Sequence, residues 1–309
     1  MDLGETLDVL VRSEPFERML LERARPIVAR AEAGEDFVVA AVAKALDTPV
    51  LAVAPGPREA DELAADLEAF LGTDRVALLP AWEALPYEGI SPAPEVAARR
   101  ARAVAGLRRA EGTFVLVAPA LAAMHGLIPT IGTTPALRLV PGLDLAPDSL
   151  AERLVELGYT RADVVEHRGE FAVRGGVVDV FAGTARRPVR LDYWGDEVES
   201  IREFVPSTQL STDRVALAEV PAARELIPDG TMRDRARAAA NGAPERFADQ
   251  LHRLADGLFV EGMETLAPFL FDRMPTPAEL LPEGGWVVLT HAHRTTDRAR
   301  AAHLEAEAL

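Results

Sequence analysis

The stretch Gly169–Phe204, GEFAVRGGVVDVFAGTARRPVRLDYWGDEVESIREF, decides the fold of the middle of this chain. Side chains on a strand point to alternate faces, so Val189, Leu191 and Tyr193 are predicted to fill a core while Arg190, Asp192 and Trp194 share the opposite face. Gly195-Asp196 then reads as a two-residue hairpin turn, with the glycine supplying the positive φ that such a turn needs. Tryptophan and arginine are the residue types most enriched in binding hot spots, so their company on one exposed face reads as a docking surface. An ordinary solvated strand is the alternative.

Outward from this stretch, strands follow one another through short turns as far as Val220, which predicts an antiparallel sheet with the preceding helix laid on it. That helix is expected to begin at a capping box, Ser149-x-x-Glu152, and to stop at Gly158. Upstream of Pro141-Gly142 the pattern is strand–helix alternation. Strands are expected at Pro26 to Ala29, Val50 to Ala54, Val76 to Leu79 and Phe114 to Ala118, and helices at Asp36 to Leu46, Arg58 to Leu71 and Glu95 to Arg109. Such alternation predicts a mostly parallel sheet covered by helices.

Beyond Pro221 helices are expected over Arg233 to Asn241 and Ala243 to Leu258, before an apolar strand, Trp286 to Thr290, that returns to the first sheet. The fold class is therefore α/β, a parallel-sheet domain (1–140) with an inserted α+β antiparallel domain (141–222) and a helical subdomain (223–309). The sequence stops inside the charged helical stretch Asp297 to Leu309 without a helix-stop signal, which reads as an excised fragment.

With 309 residues, nearly half of them apolar, the chain can build two or three cores. A formal charge of −16 opposes broad binding to nucleic acid or to an anionic membrane, because both demand a basic surface. There is no cysteine, hence neither disulfide nor thiolate metal site, and no signal peptide or long apolar run, so the cytoplasm is the expected compartment. Lys44 is the only lysine, which leaves basic work to arginine.

The loop at Arg30 to Glu35 sits where a phosphate-binding loop would, between a strand and a helix. Such a loop needs glycines, a lysine and a hydroxyl for magnesium. Ala31 to Phe37 offers Gly34 alone, with the carboxylates of Glu32, Glu35 and Asp36, each of which would repel a phosphate charge about 4 Å away by roughly 1 kcal/mol in water and more when desolvated. Lys44 lies two turns into the helix. The strand that should end in magnesium-binding acids ends instead in Thr290 and His291. His291-x-His293 reads as a metal pair or as surface histidines, and with no third ligand the second is preferred. Arg99, Arg100, Arg102, Arg108 and Arg109 read as a DNA contact or as a solvated helix face, the second preferred because Glu95 and Glu111 are nearby.

Several blocks in one order carry a resemblance that spans almost the whole chain. They are Leu79-Pro-Ala-Trp-Glu-Ala-Leu-Pro-Tyr-Glu88 with Ser91-Pro92, Val115-Leu-Val-Ala-Pro119 with Leu127-Ile-Pro129, Gly169 to Gly176, Asp179-Val-Phe181, Arg190 to Glu197, Ala255-Asp-Gly257 and Glu261-Gly-Met-Glu264. Together they resemble the N-terminal module of the bacterial transcription-repair coupling factor (Mfd) family, the part homologous to the excision-repair protein UvrB.

The resemblance implies a degenerate RecA/helicase-like domain 1a, an inserted domain 2 and a helical domain 1b. It implies no catalysis and no cofactor in this fragment, ATP and magnesium belonging to translocase domains absent here, with which the full-length protein displaces stalled RNA polymerase. It implies that domain 2 binds UvrA through Arg174, Arg190 and Trp194, the last standing where some relatives have Phe. In the resting full-length protein, C-terminal domains are expected to hide this surface, and RNA polymerase and DNA are expected to be met by other domains. The arginines could instead pair internally with Asp179, Asp192 or Glu170. The alternative function is a UvrB-like damage-verification ATPase, but the tyrosine-rich hairpin of UvrB is expected to be absent, since only Trp82 and Tyr87 are aromatic in that region.

Overall fold

A computed structural model describes residues 3–21, 27, 34–82 and 89–307. Of the strand expected at 26–29 only Ile27 is described, and 30–33 and 83–88, with Tyr87, lie outside the described residues. The chain begins with α1 (Leu3–Val11), α2 (Glu14–Leu21), α3 (Glu35–Leu46), β1 (Pro49–Ala54), α4 (Pro57–Leu71), β2 (Val76–Leu78), α5 (Pro94–Arg109), β3 (Phe114–Pro119) and α6 (Ala120–Met124). It continues through β4 (Leu137–Leu139), α7 (Pro147–Glu156), β5 (Thr160–Arg161), β6 (Glu170–Arg174), β7 (Val177–Val180), β8 (Val189–Trp194), β9 (Glu197–Phe204), β10 (Ser211–Arg214) and β11 (Ala218–Val220). The last elements are α8 (Gly230–Ala240), α9 (Glu245–Ala255), α10 (Ala267–Leu270), β12 (Trp286–Leu289) and α11 (Ala292–Glu307).

Two compact units result, one from 1–81, 103–127 and 275–309, the other from 82–102 and 128–274. The first holds a four-stranded parallel sheet in the order β12-β1-β3-β2. Its central strands β1 and β3 are apolar and buried along their whole length rather than alternating, as parallel strands covered on both faces must be. Val39 and Val42 of α3 and Leu63 and Leu67 of α4 pack on Val50, Ala52, Val115 and Val117. The Asp47 carboxylate ties the end of α3 to the start of β3 by accepting from the Thr113 amide at 3.1 Å and its hydroxyl at 3.0 Å.

The second unit holds a six-stranded sheet in the order β10-β9-β8-β7-β6-β5, antiparallel except for the short edge strand β5, which runs parallel to β6. β11 leaves this run and pairs with β4 as a separate ribbon, so the antiparallel series ends earlier than Val220. One sheet face, through Phe171, Val178, Val180, Leu191 and Ile201, packs on Leu150 and Leu154 of α7. The capping box expected at Ser149 is not formed. Pro147 starts the helix two residues earlier, because its fixed φ suits the first helical position and its missing N–H would have had no helical partner. Gly158 does end α7: at φ 84 it donates to the Val155 carbonyl while Tyr159 donates to Leu154, a Schellman closure.

The arginines of α5 do not form one solvated face. Arg100 is fully buried, its Nε donating to Glu225 Oε1 at 2.7 Å beneath the Trp82 ring, whose indole N–H donates to the same oxygen at 2.7 Å. A buried charge is tolerable only with such a partner, and the local sequence does not announce one.

Nearby, Ser91 Oγ donates to Glu264 Oε2 at 2.7 Å and accepts from the Gly262 amide at 2.9 Å. Gly262 cannot carry a side chain, since a Cβ there would lie 2.3 Å from the Gly89 carbonyl carbon. Burial pushes the Glu264 carboxyl above the usual carboxylate range, outweighing the lowering effect of Ser91. A folded-state pKa above the unfolded one means that this group favours folding most at low pH and loses that contribution as pH rises through the folded value. Glu264→Gln, which carries no ionisable proton, should therefore gain in unfolding midpoint over the wild type as pH rises from 4.5 to 8. A constant difference across that range, read by thermal melts, would refute the assignment.

Candidate partner-binding face

β8 alternates as its sequence dictates. Val189 and Leu191 are buried, and Tyr193 packs against the same cluster, burial pushing its phenol up to about 12. Arg190, Asp192 and Trp194 lie on the other face, and Trp194 is 81% exposed at the end of the strand. Trp194 faces Glu197 across the two-residue turn, in which Gly195 has φ 63. One extra residue in β9, Glu199, sits between the partners of Asp192 and Tyr193, a bulge that strengthens local twist without changing the alternation of β8.

This hairpin is braced on its free side. The Gly142 amide donates to the Val198 carbonyl at 2.8 Å, Val198 donates to Leu143 at 3.0 Å, and Leu145 donates to Asp196 at 3.0 Å. The indole is therefore exposed while the backbone that carries it is held, so little ordering entropy would oppose a partner's arrival.

The arginines are held by a carboxylate from the neighbouring strand. Asp179 stands opposite Arg190 in the β7–β8 register and has a fully buried side chain. Arg190 grips it in a bidentate pair, Nε to Oδ1 at 2.7 Å and Nη2 to Oδ2 at 2.9 Å, and Arg174 Nη2 donates to Oδ2 as well. Arg190 also donates through Nη1 to the Gln209 carbonyl at 3.1 Å and stacks over Phe204 with 4.7 Å to the ring centroid. Its partnership with Asp179 holds its pKa above the ordinary guanidinium value. Arg190 is only 16% exposed, whereas Arg174 is 44% exposed and keeps donors facing solvent.

Of the internal pairings open to these arginines, Asp179 is the one formed. Asp192 pairs elsewhere, accepting from Ser200 Oγ at 2.8 Å and from Arg202 Nη2 at 2.8 Å, and Glu170 accepts the Glu166 and His167 amides. Sequence reasoning missed Gln209, which sits at φ 59 and whose side-chain amide donates to Pro206 and Val165 carbonyls. A non-glycine residue in that conformation leaves no local signature. Asp179 did leave one, a single acid in the apolar run Val177-Val-Asp-Val-Phe181.

In the other unit, the residues singled out as a degenerate nucleotide site come together, with the exception of the undescribed part of the loop. Gly34, at φ 78, precedes α3, and Glu35 and Asp36 form its first turn. Glu35 Oε2 accepts from the His291 amide at 3.1 Å and lies 3.0 Å from His291 Nδ1. Thr290 is buried, with its amide donating to the Val53 carbonyl at 3.0 Å. A helix N-terminus attracts anions, and here the chain's own carboxylates stand at it. Lys44 is paired with Asp8 at 2.6 Å.

Residues 137–226 match the UvrB interaction domain family, a span that contains every residue of the braced and charged face. The chain is 37% identical to the transcription-repair-coupling factor of Mycobacterium bovis over 96% of its own length and 25% of that protein. It is 38% identical to the transcription-repair-coupling factor of Myxococcus xanthus and 29% identical to that of Escherichia coli, in each case over 78% of this chain and 21% of the relative. It thus spans about a quarter of the length of the curated relatives it matches. Blocks that hold their order over nearly the whole chain, together with a domain match centred on the hairpin face, place this chain in the transcription-repair coupling factor family.

Proposed function

We infer that this chain is a non-catalytic recruitment module that brings UvrA to sites of transcription-coupled repair. The observation that carries the reading is Trp194, 81% exposed on a hairpin fixed from both sides and lying inside the matched UvrB interaction domain. An exposed indole on a rigid support is the kind of residue that becomes a hot spot on binding. Arg174, with donors left over, supplies charge-assisted contacts beside it, and Arg190 fixes the surface from within.

The reading extends to a whole protein of which this is one part, a cytoplasmic ATP-driven DNA translocase that displaces stalled RNA polymerase. Its C-terminal domains would cover the UvrA face at rest, and RNA polymerase and DNA would be met by other domains. The division into 1–140 (domain 1a), 141–222 (domain 2) and 223–309 (domain 1b) belongs to the same reading. No described helix is long and apolar enough to cross a membrane, which suits it.

The fragment itself takes no cofactor in this account. Glu35 at the start of α3, bridged to His291, occupies with negative charge the position that nucleotide phosphates need, which favours recruitment over a UvrB-like ATPase. The test is to mix the purified chain with UvrA and, separately, with magnesium and ATP. Co-elution with UvrA and ATP turnover at background are expected; separate elution, or turnover that vanishes in Glu35→Gln or His291→Ala, would contradict the function.

A further inference from the structure

The register of the antiparallel sheet places three arginines in one transverse row. Arg190 on β8 stands opposite Arg202 on β9, and Arg202 stands opposite Arg214 on β10. Residues directly opposite on neighbouring strands share a face, so the row lies on the same side of the sheet as Trp194. Like charges so placed repel, and each needs a counter-charge. Arg190 has Asp179 and Arg202 has Asp192, but Arg214 is exposed on the edge strand and has no acidic partner among the described residues. Its neighbour Asp213 lies in the register shift between Ser211 and Arg214 and forms no ion pair with it.

A chain with a formal charge of −16 thus keeps an uncompensated guanidinium in register with another arginine on its one candidate docking face. The arrangement costs the free protein a repulsion that no ion pair of Arg214 among the described residues offsets. It makes sense when an acidic group from outside completes the row.

We propose that Arg214 is a further binding residue of this face, which meets carboxylates on the partner and sets the rate and salt sensitivity of its docking. The proposal rests on the UvrA reading above. It extends the contact surface from the β8–β9 hairpin across to β10, and it transfers the electrostatic part of recognition from Arg190, whose donors are largely used internally, to Arg214 together with Arg174 and Arg202.

The experiment measures association of purified UvrA with wild type, Arg214→Glu, Arg214→Lys and Trp194→Ala at several salt concentrations. Arg214→Glu should slow association roughly tenfold at low salt, with the difference shrinking as salt screens it. Arg214→Lys should retain most of the rate. The unfolding midpoint of Arg214→Glu should hold or rise, since a repulsion with Arg202 is removed, so a loss of affinity could not be laid to misfolding. Wild-type rates and salt dependence in Arg214→Glu, while Trp194→Ala loses binding, would overturn the role of Arg214 and leave the UvrA reading standing. Wild-type protein that does not bind UvrA at any salt would overturn both.

Discussion

An Asp179→Ala variant is expected to lose about 3–5 kcal/mol of unfolding free energy, the cost of removing one partner from a buried ion pair. The carboxylate has no solvent access and answers two guanidiniums at once. Arg174 is exposed enough to turn to water once released, so most of the loss comes from Arg190, which Phe204 and Gln209 hold in place. Its charge would then be stranded with the neutral oxygens of Gln209, the backbone carbonyl at 3.1 Å and Oε1 at 3.4 Å, as its remaining acceptors. Asp179→Asn keeps the shape and one acceptor and should fall between the two. Urea unfolding at an unchanged slope reads the difference, and a loss below about 1 kcal/mol, the range of exposed pairs, would show that Asp179 is not the keystone of this face. The same geometry makes Arg190→Glu a poor probe of binding, because it sets a second carboxylate against Asp179; Arg214→Glu alters the surface without touching that buried pair, whereas Arg174→Ala also removes one of the two guanidiniums that answer Asp179.

What could be read from sequence and what could not divide along a physical line. The faces of β8 were legible because side-chain direction on a strand depends only on the parity of position, and the turn was legible because Gly195 needs positive φ. The acidic start of α3 was legible as well, and Glu35 and Asp36 stand in its first turn. The partners of the arginines depended on which residues register brings opposite one another, and register is set by the whole sheet. Arg190 therefore read first as a free contact, with Asp179, Asp192 or Glu170 as the alternative internal partners, and only strand pairing selects Asp179. Arg100 was assigned to a solvated face for the same reason, since Glu225, its burial partner, is 125 positions away. The Ser149 capping box failed to a stronger local signal two residues earlier, Pro147.

The proposed role of Trp194 is to anchor UvrA from a braced hairpin while the charges beneath it hold the platform. Trp194 is 81% exposed and buries little of its ring, so truncating it should leave unfolding free energy within about 0.5 kcal/mol of wild type. At the centre of a desolvated contact the same truncation should cost about 2 kcal/mol or more, roughly 30-fold in affinity. The direct measurement is a calorimetric titration of UvrA with wild type and Trp194→Ala, each also melted alone. A binding loss of that size at an unchanged melting midpoint is the predicted result; equal affinity for the two proteins would contradict the account.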